Sequence, residues 1–407
     1  MKAYIEKGTA CGQVRLPGSK SIAHRMMICA ALAEGDTVLE NFPGNEDTSA
    51  TADCLRALGV NIEISGDTAH IHGTGGDFRA IKSPCILPCR ESGSTLRFLL
   101  PLVMATDREC TFMGAERLFQ RPLSVYRDIC LENGGTWIQT GTGLTVKGGL
   151  HPGGFGFPGN ISSQFVTGLL LALPLLRTES CIHLTTECES ASYVGLTLDA
   201  MRDFGFSAEV RDSETFIVPG CQKGKSPGKC YIPADESGAA FFDALNSVGG
   251  KVKICGTDEN SRQGDRVRRE YTEALINRRA TLSLRDCPDL GPVLMVVAAA
   301  HHGGVFTDTQ RLKLKESDRG QAMAVELAKF GVKTRVSDNS ITVDGGGLRK
   351  PELPLCGHND HRIVMSLAVA STVTGGEITD AEAVRKSLPE FWQMLRELGI
   401  KVTEEKD

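Results

Sequence analysis

The sequence predicts an α/β chain built as two domains, and three observations carry the prediction. The chain has 407 residues, too long for one ordinary core and about right for two domains of roughly 200 residues each. A short polar or glycine-containing segment opens a helix of small apolar residues, and this happens six times. Strand-like runs follow the helices, so the two periodicities alternate along the chain.

The first opening is GSKSIAHRMMICAALAEGDTVLEN, starting near residue 19. ESGSTLRFLLPLVMATDRECTF follows near 92, GNISSQFVTGLLLALPLLRTESCIHL near 162, ADESGAAFFDALNSVGGKVKIC near 236, CPDLGPVLMVVAAAHHGGVFT near 289 and GHNDHRIVMSLAVASTVTGGEIT near 360. The interval is roughly 70 residues, with one shorter step. In the first helix Ile22, Met26, Cys29 and Ala33 recur at helical spacing and mark the buried face. A second helix recurs in each copy and ends in LRALGV, ICLENGG, MRDFGF, LINRRA, ELAKFGV or LRELGI. Five of these six close with Gly where a left-handed cap is expected. The runs Asn61–Ile64, Thr136–Gln139, Ala208–Val210, Thr281–Leu284 and Lys333–Val336 then read as strands. One copy is therefore two helices plus three or four strands. That period is too long for a solenoid, so six copies fit two pseudo-symmetric domains of three each.

Composition narrows the function. Hydrophobic residues are 41% and charged residues 23%, near globular averages. The net charge is −5, from 45 Lys+Arg against 50 Asp+Glu, which argues against a nucleic-acid or anionic-membrane surface. Aromatic residues are only 6%, which disfavours base-stacking platforms. The opening MKAYIEKGTA has no apolar h-region, so no signal peptide is predicted. The apolar stretches Phe165–Leu176, broken by Pro174, and Pro292–Ala300 are too short to cross a bilayer. The 14 Cys include no CxxC pair and read as buried thiols of a cytoplasmic protein.

The helix openings carry the chemistry. Unpaired N–H groups and the macrodipole favour an anion at a helix N-terminus, and Lys, Arg, Ser and Gln in the same turn strengthen the attraction. The first opening holds Lys20, with Ser21 and Arg25 one turn apart. GSKS is not a P-loop, because Ser19 separates Gly18 from Lys20. Gly345-Gly346-Gly347 and the run Gly148–Gly159 match no cofactor fingerprint and read as turns or loops. The third opening holds Ser162, Ser163 and Gln164, and the second holds Gly93, Ser94, Thr95 and Arg97. Arg117 and Arg121 flank a loop before a helix, with Pro122 at a plausible first helical position. In RLKLKESDR, Leu312 and Leu314 alternate with Arg311, Lys313 and Lys315, as in a strand with one wet face. Glu316 follows among these cations, and Asp318-Arg319 open a helix with Met323, Leu327 and Phe330 on its apolar side. Asp289 follows Pro288, and Asp360 caps a helix carrying His361 and Arg362. Cys356, His358 and His361 form a loose cluster without the second ligand pair of a metal site. Each segment alone fits ordinary capping or a solvated ion-pair ladder. Their recurrence at one structural position predicts an inter-domain cleft for a small, multiply negative ligand.

Taken in order, LPGSKSIAHR, ERLFQRP, SSQF, LKLKESDR, NDHR and RKSLPEF resemble the 5-enolpyruvylshikimate-3-phosphate synthase (3-phosphoshikimate 1-carboxyvinyltransferase) family. The match runs from about residue 14 to 395. The resemblance implies a two-domain inside-out α/β barrel of six βαβαββ units, three per domain. Residues 1–17 plus 234–407 would form one domain and 18–233 the other, with crossings near Pro17-Gly18 and Ile232–Asp235. It implies transfer of the enolpyruvyl group of phosphoenolpyruvate to the 5-hydroxyl of 3-phosphoshikimate, by addition and elimination with release of phosphate. It implies a cytoplasmic monomer of the shikimate pathway with no metal or organic cofactor, and small-molecule partners only.

By the same resemblance, Lys20 lies between the substrates, and Ser21, Arg25, Ser162, Ser163, Gln164, Ser190, Tyr193, Asp289, Arg311 and Lys315 meet 3-phosphoshikimate. Gly93, Arg121 and Lys386 meet the phosphate of phosphoenolpyruvate, while Arg319 and Arg362 take its carboxylate. Gln164 and Glu316 also face that substrate. Asp289 would accept the hydroxyl proton, Glu316 would give and remove the methylene proton, and Lys315 would orient the hydroxyl. Glu91 stands where many members carry Asn, and a carboxylate there repels a phosphate unless turned away or paired. Arg311 also replaces a common Asn, and His24 and Phe98 differ from well-known members. The small Gly93 implies sensitivity to the phosphonate glyphosate, which Glu91 and Phe98 oppose. Two other readings share the features: enolpyruvyl transfer to a UDP-amino sugar, and a non-catalytic anion-binding relative.

Overall fold

Three sheets with one repeated strand order organise the segment Gly18–Pro233. In each, the first strand runs parallel to the second, the second antiparallel to a third, and the edge strand antiparallel to that. The computed structural model describes residues 1–77, 85–258 and 260–406, and the chain divides into two units, residues 1–17 with 234–407, and 18–233.

In the unit 18–233 the sheets comprise, first, Lys229–Tyr231, Glu34–Glu40, Thr68–Thr74 and Asn61–Ser65. The second comprises Cys85–Arg90, Cys110–Gly114, Gly143–Lys147 and Thr136–Gln139. The third comprises Gly154–Phe157, Ser180–Leu184, Thr215–Val218 and Glu209–Val210. The last strand of the unit, Lys229–Tyr231, completes the first sheet, so the ends of the segment close on each other. The helices are α1 (Lys20–Leu32), α2 (Glu46–Ala57), α3 (Gly93–Met104), α4 (Glu116–Gln120), α5 (Ser124–Glu132), α6 (Ser163–Ala172) and α7 (Ala191–Asp203).

The unit of residues 1–17 and 234–407 carries α8 (Glu236–Ser247), α9 (Arg268–Asn277), α10 (Gly291–Ala300), α11 (Arg319–Lys329), α12 (His361–Thr374) and α13 (Phe391–Glu397). Its strands Ala280–Ser283, Gly304–Thr307, Ser340–Val343 and Thr334–Val336 repeat the same order. The N-terminal strand Lys2–Ile5 inserts antiparallel between Gly376–Ile378 and Val402–Glu405. Leu355 bridges Ile378 in parallel, which restores the four-strand pattern. The fourth copy is shorter: Cys11–Arg15 and Lys251–Cys255 form a sheet of two strands, and α9 runs directly into Ala280–Ser283.

The burial of α3, α6 and α10 explains why these first helices are apolar nearly all round. Every residue of α3 except Ser94 is buried, as is every residue of α6 except Gln164 and of α10 except Ala300. These helices form the centre of each unit, α3 against α6 and α10 against α8 and α12, while the sheets cover them. A helix covered on all sides has no polar face to keep. Each unit has its own apolar core. The second helices lie further out and end as expected. Gly59, Gly134, Gly205, Gly331 and Gly399 all take positive φ at the position after the cap, which spares a Cβ clash. Only α9 lacks that glycine; its cap Arg278 is extended and leads into the next strand.

Two local expectations are corrected. Residues Gln310–Leu314 form a 3-10 turn, not a strand. Asp308 takes φ 57 and turns the chain out of the sheet after Gly304–Thr307, so the alternating leucines follow a helical turn, with Leu312 buried and Leu314 exposed. Pro122 does not begin a helix, because Leu123 occupies the cap of α5 and Pro122 precedes it.

Candidate active site

The N-terminus of α1 is left without a side-chain cap. Ser19 stands at the cap position, yet its side chain makes no capping bond, and its hydroxyl is buried without a hydrogen-bond partner. The first-turn N–H groups of α1 therefore keep their positive ends uncapped by a side chain. Arg25, one turn later, is 2% exposed. Its Nε donates to Thr197 Oγ1 at 2.8 Å, Nη2 to Thr167 Oγ1 at 3.2 Å and Nη1 to the Ser21 carbonyl at 2.7 Å. The guanidinium lies 4.9 Å from the Phe98 ring centre and 5.9 Å from that of Tyr193. No carboxylate pairs with it among the described residues, and burial pulls its pKa down to about 10. A buried cation among hydroxyls and rings is under-compensated until an anion arrives.

Other predicted residues of this unit surround the openings of α3, α6 and α7. Lys20 Nζ pairs with Asp47 Oδ2 at 2.8 Å, a partner in α2 that local sequence did not reveal. Ser162 caps α6 by accepting from Gln164 N, and Ser163 is buried beside it. Ser190, 1% exposed, stands at the cap of α7 with φ 56, a left-handed conformation that a serine rarely keeps without compensation. At Gly93 an added Cβ would lie 2.8 Å from Arg121 Nη1 and 3.8 Å from Gln164 Oε1. Gly93, Arg121 and Gln164 thus converge, and only the absence of a side chain leaves that space. Arg97 joins them, donating to Gln164 Oε1 at 2.6 Å. His24 is buried among α1, α2 and α3, bonded to Thr51 at 2.8 Å, and burial holds its pKa well below the usual value.

The other unit gathers the acids and further cations. Asp289 is not a helix cap. It lies in the 3-10 turn Pro288–Leu290, where Oδ1 accepts from Lys315 Nζ at 3.0 Å and from Arg319 Nη1 at 2.7 Å. Arg362 Nη2 is 3.7 Å from Asp289 Oδ2. Arg319 also holds Glu316 Oε2 at 2.8 Å and Asp360 Oδ2 at 2.9 Å. Burial works against its charge, but Asp360, Glu316 and Asp289 more than offset this and raise its pKa. Asp360 accepts from Arg362 N as well, so a single carboxylate caps α12 and orients Arg319. Lys315 has its pKa lowered by burial, with Asp289 opposing and Arg319 and Arg311 adding to the effect. Arg311, half-buried in the 3-10 turn, belongs to this group through its field on Lys315. Arg362 is 2% exposed, and its Nε and Nη1 find no hydrogen-bond partner among the described residues. Lys386 Nζ is held by the Asn359 carbonyl at 2.6 Å and its Oδ1 at 2.9 Å.

Cys356, His358 and His361 do not converge. The thiol faces Asp380, His358 meets Glu326 at 3.1 Å, and His361 lies 3.9 Å from Asp360. Among the described residues no group of three or more His, Cys, Asp or Glu could hold a metal ion. Asp47, Asn359, the Thr167–Thr197 pair and the contact of Arg97 with Gln164 escaped the sequence reading because each partner lies far away along the chain. Asp265 escaped it too: it is buried, bonded by the Ser237 hydroxyl, and raised to about 7 by burial and then by the field of Asp289.

The chain resembles known proteins over its whole length. The curated 3-phosphoshikimate 1-carboxyvinyltransferase of Clostridium novyi is 37% identical over 420 residues, 95% of each chain. That of Clostridium kluyveri is 37% identical over 418 residues, 97% of this chain and 96% of its own. A solved structure of EPSP synthase from Acinetobacter baumannii superposes with TM-score 0.80 at 24% identity, covering 99% of this chain and 100% of that one. The enolpyruvyl transferase NikO from Streptomyces tendae has TM-score 0.76 at 16% identity, covering 99% and 98%, so it shares the fold. The profile of the EPSP synthase family (3-phosphoshikimate 1-carboxyvinyltransferase) matches residues 6–395, and the chain belongs to that family.

Proposed function

We propose that this chain transfers the enolpyruvyl group of phosphoenolpyruvate to the 5-hydroxyl of 3-phosphoshikimate, on the route to chorismate and the aromatic amino acids. Family membership supports the reaction. The observation that carries its substrate chemistry is a pair of buried guanidiniums with N–H capacity to spare. Among the described residues Arg25 has no carboxylate partner, and Arg362 keeps two buried nitrogens unsatisfied. Each substrate carries a carboxylate and a phosphate, which such groups bind by charge-assisted, planar hydrogen bonds.

In this reading Arg25, Ser21, Ser162, Ser163, Gln164, Ser190 and Tyr193 hold 3-phosphoshikimate, with Arg311 and Lys315 supporting it. Gly93, Arg121 and Lys386 receive the phosphate of phosphoenolpyruvate, and Arg319 and Arg362 its carboxylate. Lys20 serves both. Asp289 takes the proton of the 5-hydroxyl as the oxygen bonds to the central carbon of phosphoenolpyruvate, and Glu316 delivers a proton to the methylene. Elimination reverses the second transfer: Glu316 removes a methyl proton, the carbon–oxygen bond to phosphate breaks, and phosphate leaves. The cations around Asp289 and Glu316 keep both carboxylates oriented and stabilise the developing charge. A cytoplasmic monomer is part of the same proposal.

The test is phosphate release from phosphoenolpyruvate with and without 3-phosphoshikimate. Release that depends on 3-phosphoshikimate is expected; release with a UDP-amino sugar instead, or none, overturns the reading. Asp289→Ala and Glu316→Gln should retain substrate binding and lose turnover by about 100-fold or more. Near-normal turnover in either would remove its assigned role.

A further inference from the structure

We infer that Arg97 is a positioning residue that fixes which way round the Gln164 side-chain amide points, so that Gln164 meets the phosphoenolpyruvate side with N–H rather than with its carbonyl oxygen. The inference rests on the reaction proposed above and adds a residue to it.

A glutamine amide has a donor end and an acceptor end of almost the same shape. Near an anion only the donor end helps; the reversed amide repels. Something must therefore hold the oxygen elsewhere. Arg97 is one turn past Gly93 on α3 and is 6% exposed. Its Nη1 donates to Gln164 Oε1 at 2.6 Å, and its Nη2 to the Pro122 carbonyl at 3.0 Å. Its guanidinium lies 5.5 Å from the Phe165 ring centre, which limits its own movement. Arginine has no acceptor, so it can bind only the oxygen end of the amide. Gln164 Nε2 then donates one hydrogen to Ser94 Oγ at 3.1 Å. The second Nε2 hydrogen has no partner among the described residues and is available to a ligand.

The same contacts join three separate segments. Gly93 and Ser94 open α3, Gln164 opens α6, and Pro122 directly follows Arg121. An added Cβ on Gly93 would stand 3.5 Å from Arg97 Nη1, so the guanidinium borders the space left by the glycine. Removing Arg97 takes away the group that holds Gln164 Oε1 and frees the amide to rotate, while the Pro122 contact serves to anchor the guanidinium itself. A loss expressed chiefly in phosphoenolpyruvate binding follows.

Kinetics for both substrates would be measured on Arg97→Ala, Arg97→Lys, Gln164→Leu and the Arg97→Ala/Gln164→Leu pair. Side-chain amide NMR signals of the full chain would be recorded in parallel, with the Gln164 pair identified as the one missing in Gln164→Leu. Arg97→Ala should raise the KM for phosphoenolpyruvate about 10- to 100-fold and lower kcat much less. Arg97→Lys should recover part of the loss. The double variant should be no worse than Gln164→Leu alone, because Arg97 acts through Gln164. The Gln164 amide signals should move toward those of an exposed glutamine in Arg97→Ala. Arg97→Met keeps the stem against Phe165 and gives the same readings if Arg97→Ala fails to fold. A double variant worse than Gln164→Leu by the full Arg97→Ala factor makes Arg97 a direct anion ligand and overturns the inference. Unmoved Gln164 signals overturn it too. If the wild-type chain makes no enolpyruvyl product, the proposed reaction falls, and the amide signals alone then decide on Arg97.

Discussion

Replacing Arg25 by Met should leave the unliganded protein about as stable as before while removing its grip on 3-phosphoshikimate. Burial lowers the Arg25 pKa from 12.5 to about 10. At neutral pH that depression corresponds to about 3 kcal/mol of destabilisation by the buried charge. Against it stand three hydrogen bonds, to Thr197, Thr167 and the Ser21 carbonyl, each worth about 1 kcal/mol net. The two contributions nearly cancel. Thr167 and Thr197 remain bonded to each other at 2.9 Å in the variant, so neither hydroxyl is orphaned. Methionine fills much of the volume next to Phe98 without a charge. The unliganded Arg25→Met protein should stay within about 2 kcal/mol of wild type, a small shift in Tm for a domain of this size. Its KM for 3-phosphoshikimate should rise about 100-fold or more, since charge-assisted bonds to a phosphate are lost. Thermal melts with and without 3-phosphoshikimate, together with initial rates, measure both halves. A variant that loses more than about 4 kcal/mol unliganded, yet keeps its KM within a factor of three, would show that Arg25 is structural and refute the reasoning.

Gly93→Ala places a Cβ 2.8 Å from Arg121 Nη1, so Arg121 must withdraw; the KM for phosphoenolpyruvate should rise about 10-fold in steady-state assays with little change in Tm. Arg268→Met strands the buried carboxylates of Glu236 and Asp243, both raised by burial already, and should cost about 3–5 kcal/mol in urea unfolding, recovered in part by Glu236→Gln with Asp243→Asn. Asp265 is raised to about 7 in the folded chain, first by burial and then by Asp289. Its contribution to stability is therefore full below the unfolded carboxylate pKa of about 4 and lost as pH rises toward 7. Asp265→Asn should flatten the stability difference across that window, and a wild-type curve parallel to the variant's would contradict the assignment.

Much of the architecture was legible because it depends on local rules. Five glycines after the second helices are needed for positive φ, whatever the helices pack against. The missing sixth glycine, at LINRRA, falls in the copy whose chain passes straight into the next strand. Asp318 and Asp360 cap α11 and α12 as their positions suggest. The candidate site was legible only as residue types at helix openings, ordered by the motifs that carry the family resemblance. The partners were not. Alternation in RLKLK reads as a strand, but Asp308 turns the chain away before that strand could add to the sheet. Ser19 has the right identity for a cap and leaves the helix uncapped.

The sequence by itself determined the repeated alternation of apolar helix and strand, the glycine and carboxylate punctuation, and the cations and hydroxyls at the helix openings. These follow from periodicity, φ preference and helix-end electrostatics, which act within a few residues. The tertiary structure alone decided the pairings across long stretches of chain. Lys2–Ile5 closes a sheet with Gly376–Ile378 and Val402–Glu405, Lys20 meets Asp47, Arg25 meets Thr167 and Thr197, and Arg97 clamps Gln164. Such contacts depend on which surfaces pack together, and packing is a property of the whole core rather than of any segment.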